Sequence, residues 1–170
     1  MPSLQSSIMT AELPAAALLR KYCYDGAYTD CYFTEIPSSI PLAQYVEAFY
    51  TTSIFKLERW ILTHFVAKPS SDVDARRVAR AETDGFAAWS VEARAPDQLL
   101  MCDFVSRTRS WFMVAPTANG GTRLYFGSAV VPVRSKTGEL TLGSAYLTLM
   151  GFHKLYSRIL LRAARSLLSR

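Results

Sequence analysis

The stretch that decides the fold is residues 85–133, GFAAWSVEARAPDQLLMCDFVSRTRSWFMVAPTANGGTRLYFGSAVVPV. Ahead of Gly85 the apolar residues recur at helical spacing. Behind it they alternate, which is the period of a half-buried strand. Residues 86–94 form one predicted strand, and Pro96-Asp97 supplies a turn. Leu99 to Phe104 and Arg109 to Ala115 form two more. Asn119-Gly120-Gly121 is a hairpin signal, because glycine and asparagine reach positive φ cheaply. Thr122 to Val133 is a fourth strand, ended by Pro132. Short turns between four strands predict an antiparallel meander.

Upstream, YTDCYFTEI (28–36) is a further strand. Tyr28, Asp30, Tyr32, Thr34 and Ile36 form one of its faces, and Thr29, Cys31, Phe33 and Glu35 the other. Pro37 and Pro41 stop it. Ser38 and Ser39 stand ready to cap a helix over 41–50, in which Leu42, Val46, Phe49 and Tyr50 share a side. A second helix follows Thr51-Thr52-Ser53, with Ile54, Leu57, Ile61 and Leu62 inside. Ser71-x-x-Asp74 opens a short third helix with a capping-box pattern. Residues 1–27 read as a loosely docked N-terminal arm with one helical turn at most, and residues 28–170 as a single α+β domain.

The chain closes on an amphipathic helix from Thr141 or Ser144 to Leu168, about 36 Å for 24 residues at 1.5 Å each. Its apolar stripe is Leu149, Phe152, Tyr156, Ile159, Ala163 and Leu167, flanked by Leu160, Ala164 and Leu168. Lys154, Arg158, Arg162 and Arg165 lie opposite. The net charge of +5 resides in this region, since residues 140–170 hold five basic side chains and no acidic one. A nucleic-acid binder brings basic residues from several elements to one face, so no nucleic-acid partner is expected.

The order of elements is strand, two or three helices, antiparallel meander, long closing helix. It resembles the START-like or SRPBCC superfamily, the helix-grip fold, and within it bacterial members of unassigned activity. The resemblance is carried by YTDCYFTEI, PLAQYVEAFY and the second helix, FAAWSVEAR through RLYFGSAVVPV, and LMGFHKLYSRILLRAA. It implies a curved antiparallel sheet of about five to seven strands wrapped around the C-terminal helix. It also implies an apolar ligand held between the two, in a carrier or in an enzyme of cyclase or lyase type.

With 170 residues, half of them hydrophobic and only 19% charged, the chain can bury a sizeable core. No apolar run approaches the roughly 20 residues that span a bilayer. The N-terminus lacks the pattern of a secretory leader. Cys23, Cys31 and Cys102 form no CxxC and leave one odd thiol, so a reducing, cytoplasmic setting is expected. An exposed edge strand would give two copies a place to pair as a homodimer.

Motifs of chemistry are sparse. No metal site and no cofactor are expected. His64 and His153 stand alone in separate helices and read as structural histidines. No glycine-rich phosphate loop or nucleophile elbow is present. In SRTRSWF (106–112), Arg107, Arg109 and Trp111 share a face. Turned inward, Arg109 would orient a ligand carboxylate beneath Trp111. Turned outward, both arginines would pair with Asp103, Glu92 or Asp97, and the scarcity of unpaired buried charge favours this. Glu58, in an aromatic helix, is either an acid–base group in a dry cavity or a surface partner of Arg59. Trp89, Trp111, Tyr125, Phe152 and Tyr156 are the aromatics expected nearest a cavity between sheet and helix, which they would either line or fill. Three functions remain open: a binder of apolar or amphipathic small molecules anchored by Arg109 or Glu58, a cyclase- or lyase-type enzyme in the same cavity, and an interaction module with a filled core.

Overall fold

The computed structural model describes residues 7–24, 26–57, 69–142 and 144–169, the side chains of 140, 144–150 and 152 excepted. A seven-stranded antiparallel sheet runs in the order β1-β2-β7-β6-β5-β4-β3. Its members are β1 (Met9–Thr10), β2 (Tyr28–Ile36), β3 (Gly85–Phe86), β4 (Trp89–Ala95), β5 (Gln98–Asp103), β6 (Thr108–Pro116) and β7 (Thr122–Val130). A separate small hairpin joins β8 (Val133–Arg134) to β9 (Leu140–Thr141). The helices are α1 (Leu42–Tyr50), α2 (Asp72–Ala79) and α3 (Ser144–Leu168).

The β6–β7 hairpin is the centre of the sheet. It closes through Gly120 at a φ of +78°, which suits glycine. Strand β2 then pairs with β7 along its whole length, from Tyr28 opposite Val130 to Ile36 opposite Thr122. Alternation along these strands divides the core in two. On the inner face Tyr32, Ile36, Leu124, Phe112 and Phe126 meet the helices. The rings pack edge-on or stacked, with Phe49 of α1 at 4.8 Å from both Phe112 and Phe126.

Helix α3 seats Leu160, Leu161 and Ala164 against this cluster. The buried line is therefore rotated from the expected stripe, and Ile159 and Leu167 are exposed instead. Arg165 is also not on the free basic face, since its Nε–H donates to Glu35 O. In the helical turn at 53–57, Phe55 is buried and Leu57, expected inside, is 60% exposed. Thr52 starts that turn by accepting the Phe55 N–H. Ser38 and Ser39 do not cap α1, which begins after Pro41 without a side-chain cap. The capping box of α2 forms as the sequence predicts, with Ser71 and Asp74 exchanging hydrogen bonds.

The described part of the N-terminal arm, residues 7–24, is docked rather than loose. It contributes β1 to the sheet edge and a 3-10 turn, Leu18–Tyr22, to the outer face. There Leu19 and Ala17 cover Trp111, Leu100, Cys31 and Ala129. A side chain at Gly127 would meet Leu19 Cδ2 at 2.9 Å and Trp111 at 3.0 Å, so the glycine makes room for both. Gln98, 5% exposed, is the polar pin of this layer. Its Oε1 accepts from Trp111 Nε1–H and from Leu18 N–H, each at 2.9 Å, and its Nε2–H donates to Ala16 O at 3.0 Å.

Gln98→Ala leaves those buried groups without partners. We expect a loss of about 2–3 kcal/mol, measured by urea unfolding, with faster amide exchange through residues 16–22. Unchanged exchange there would show that Gln98 does not hold the arm.

Candidate functional site

A cavity of about 170 Å³ lies between the inner face of the sheet and α3. Its floor is buried and aromatic: Phe49 and Tyr50 from α1, Phe55 from the next turn, and Phe126 from β7, with Leu160 from α3. Its rim is partly exposed, and includes Trp89, Tyr156 and His153. Hydroxyls of Thr108, Ser110 and Ser157 belong to residues on the wall.

Beyond His153 the inner face becomes polar. Asp30 of β2 stands opposite Ser128 of β7, which in turn stands opposite Ser110 of β6. These three residues form one row across three strands. The Asp30 side chain is only 8% exposed. Tyr28 Oη–H donates to its Oδ2 at 2.8 Å, and Ser128 N–H donates to its Oδ1 at 2.8 Å. His153 Nε2 lies 3.8 Å from Oδ2, and the His153 ring meets the Tyr28 ring edge-on at 6.2 Å. That Nε2 is buried and makes no hydrogen bond. Across α3, Tyr28, Asp30 and Tyr32 also border an open groove with Lys154 and Arg158.

Burial pushes the Asp30 carboxyl above the ordinary aspartate range, and the hydrogen bond from Tyr28, the His153 ring and Ser128 N–H oppose this only in part. Burial, followed by the Asp30 charge, also raises the Tyr28 and Tyr32 phenols. Burial thus works against the charged form of each of these three groups.

The residues expected from the sequence are dispersed. Trp89 and Tyr156 do line the cavity. Trp111 and Tyr125 do not; both sit on the outer face, with Trp111 fully buried under the arm. Arg109 borders the cavity, but its guanidinium is committed elsewhere. Its Nε–H donates to Glu92 Oε2 at 2.6 Å, and the group lies 4.8 Å from the Tyr22 ring centroid. A bulge between Val91 and Ala93 turns Glu92 to that outer face. Tyr22 Oη–H and Lys21 complete the cluster around Glu92. Burial alone would raise the Glu92 carboxyl, but these hydrogen bonds outweigh it and hold the group below its usual range. This is the outward alternative for Arg109, with Glu92 as its partner. Arg107 bonds Val131 O and Leu142 O. Glu58, and with it the expected acid–base group, lies outside the described residues, as does the Phe152 side chain.

Sequence reasoning passed over Asp30 and read His153 as a structural histidine. The available signal was an acid in the β2 face that also carries Tyr32, Thr34 and Ile36, and Asp30 was the only charged residue in that set. Among the described residues, no three His, Cys, Asp or Glu side chains gather as a metal site. No described helix is long and apolar enough to cross a membrane.

The sequence matches no family model, and no curated protein matches it. Two solved structures are similar in part. A conserved protein of unknown function from Enterococcus faecalis is 14% identical over 86% of this chain and 74% of its own, with a TM-score of 0.40. A protein from Mycobacterium smegmatis is 9% identical over 94% of this chain and 98% of its own, with a TM-score of 0.41. Likenesses this distant identify no activity.

A raised carboxyl has a definite pH signature. The folded chain holds the Asp30 proton more tightly than the unfolded chain, whose aspartates titrate at roughly 3.9. The resulting stabilisation is complete below that value and is lost as pH rises through the folded value, at about 1.4 kcal/mol for each tenfold difference in proton affinity. We therefore expect the stability of the wild type, relative to Asp30→Asn, to fall as pH rises from 4. Urea unfolding across that range checks this, and a difference independent of pH would contradict it.

Proposed function

We propose that this protein binds a small apolar or amphipathic molecule in the cavity between the sheet and α3, in the manner of the helix-grip, START-like proteins that its order of elements resembles. The observation that carries this is the cavity itself, about 170 Å³ with an aromatic floor and a partly exposed rim. Cores normally pack to crystal density. An apolar engineered cavity of about 150 Å³ in another protein stays dry and takes up benzene. The volume here suits one ring or a short branched chain. Binding would come from removing apolar surface from water, at roughly 25 cal/mol per Å² before the costs of association. Trp89 and Tyr156 would flank the entrance, and Arg109, held by Glu92, would not serve as the anchor. The three free cysteines support a reducing, cytoplasmic setting for this activity.

A second function has one specific observation in its favour. The Asp30–His153 pair places titratable groups beside the cavity, as a cyclase- or lyase-type enzyme would require. Proton-transfer chemistry would then rest on this pair rather than on Glu58.

Native mass spectrometry of freshly purified protein should detect a noncovalently bound small molecule, or uptake of added benzene. Ser157→Leu places apolar volume in the cavity wall. We expect this variant to lose the adduct with its Tm unchanged or raised. A wild type that carries no adduct and is not stabilised by benzene would reduce the cavity to a packing defect and leave an interaction module.

A further inference from the structure

We infer that the exposed face of α3 docks on an anionic lipid surface, with Lys154, Arg158 and Arg162 against the headgroups and Leu155 and Ile159 sunk beside them. The occupant of this face is a bilayer surface that carries acidic phospholipid. The inference does not depend on the cavity or on what the cavity holds.

Helix α3 has two apolar sides. Leu160, Leu161 and Ala164 are buried against the aromatic cluster. Leu155 and Ile159 are instead 57% and 39% exposed. At 3.6 residues per turn, Lys154, Arg158, Arg162, Leu155 and Ile159 fall within an arc of about 140° that faces away from Leu160 and Ala164. All five side chains are exposed. A single exposed apolar residue is ordinary, but these two stand one turn apart and form one patch. The cations beside them are uncommitted. Among the described residues none of the three enters a salt bridge, and Lys154 meets only the Tyr28 ring, 5.6 Å from its centroid. Arg165 of the same helix is by contrast tied to Glu35 O. The helix has no acidic residue of its own, and Asp30, beneath the groove that Lys154 and Arg158 border, is buried.

Charge and shape narrow what can cover this face. A second copy seated on it would set arginine against arginine. Nucleic acid is met by basic residues from several elements, whereas one helix supplies all three here and carries two apolar side chains beside them. An anionic bilayer satisfies both kinds of group at once. A helix lying in the interface buries its apolar side chains at the headgroup boundary, while lysine and arginine keep their charges with the phosphates. Each cation near such a surface contributes about fivefold in partitioning, so the three together contribute on the order of a hundredfold. Two apolar side chains are too few to hold a protein on neutral lipid. Attachment is therefore reversible, sensitive to salt and dependent on acidic lipid.

The test is co-sedimentation of the full chain with vesicles of equal parts phosphatidylglycerol and phosphatidylcholine, and with vesicles of phosphatidylcholine alone. We expect binding to the first only, and weaker binding at about 1 M salt, where the screening length falls to about 3 Å. A triple variant with Lys154→Gln, Arg158→Gln and Arg162→Gln should lose on the order of a hundredfold. The pair Leu155→Ser and Ile159→Ser should also weaken binding. A second triple variant, Arg77→Gln, Arg80→Gln and Lys136→Gln, removes the same charge from exposed positions elsewhere and should bind as the wild type does. Every substituted side chain is exposed, and far-ultraviolet circular dichroism checks that each variant keeps the fold. Equal binding to neutral vesicles, or equal loss in the two triple variants, would overturn the inference. No binding to the anionic vesicles would overturn it too and leave this face to an acidic protein. A DNA duplex held as tightly as the vesicles, with no loss in the serine variant, would make it a general polyanion site instead.

Discussion

The β6–β7 hairpin is apolar on both of its faces, and the rest of the molecule answers that constraint. Trp111 and Ala129 look one way and Phe112 and Phe126 the other, and all four are buried. A sheet with two apolar faces has to be covered twice. The helices α1 and α3 cover the inner face. Among the described residues no helix of comparable length covers the outer face, and the N-terminal segment takes that role with a 3-10 turn and Leu19. This is why a segment whose sequence has no helical or strand period is nonetheless ordered. Its structure is imposed by what it covers, not by its own propensity.

Each face contains a buried polar group, and the two differ instructively. Gln98 on the outer face is saturated by a tryptophan, a backbone N–H and a backbone carbonyl. Such a group fixes register and specifies one docking geometry. Asp30 on the inner face is also held, but the histidine beside it is not. Saturation marks Gln98 as architecture. At Asp30 and His153 the set is incomplete, since the two side chains stand 3.8 Å apart and the ring nitrogen has no hydrogen bond.

The period change at Gly85 made the meander, the hairpin at Asn119-Gly120 and the closing helix legible in the sequence, and the capping box of α2 was readable residue by residue. The short edge strands β1 and β3 were not, since two residues carry no period. Face assignment was harder still. Alternation correctly placed Trp111 opposite Phe112, but alternation alone does not say which face meets the helix. Both faces of this sheet are apolar, so the usual cue of a polar outer side was missing. Trp111 and Tyr125 were therefore expected in the cavity and lie under the arm. Helix α3 presents the same difficulty: Leu155, Ile159, Leu160 and Leu161 surround the axis, and only contact with the aromatic cluster selects Leu160 and Leu161. Asp30 and His153 are 123 positions apart in the sequence, and their proximity exists only once β2 and α3 are packed.

Packing energetics bear on why the cavity persists. Aromatic side chains around an unfilled space of about 170 Å³ lack the dispersion contacts that a filled wall would give them. Filling it would require little, because a buried serine, Ser157, faces it from α3 between Tyr156 and Leu160. A small polar residue at that position, facing aromatic rings, forgoes stability that the fold could readily have gained. That unfilled apolar space is the physical basis of the binding proposed for the cavity.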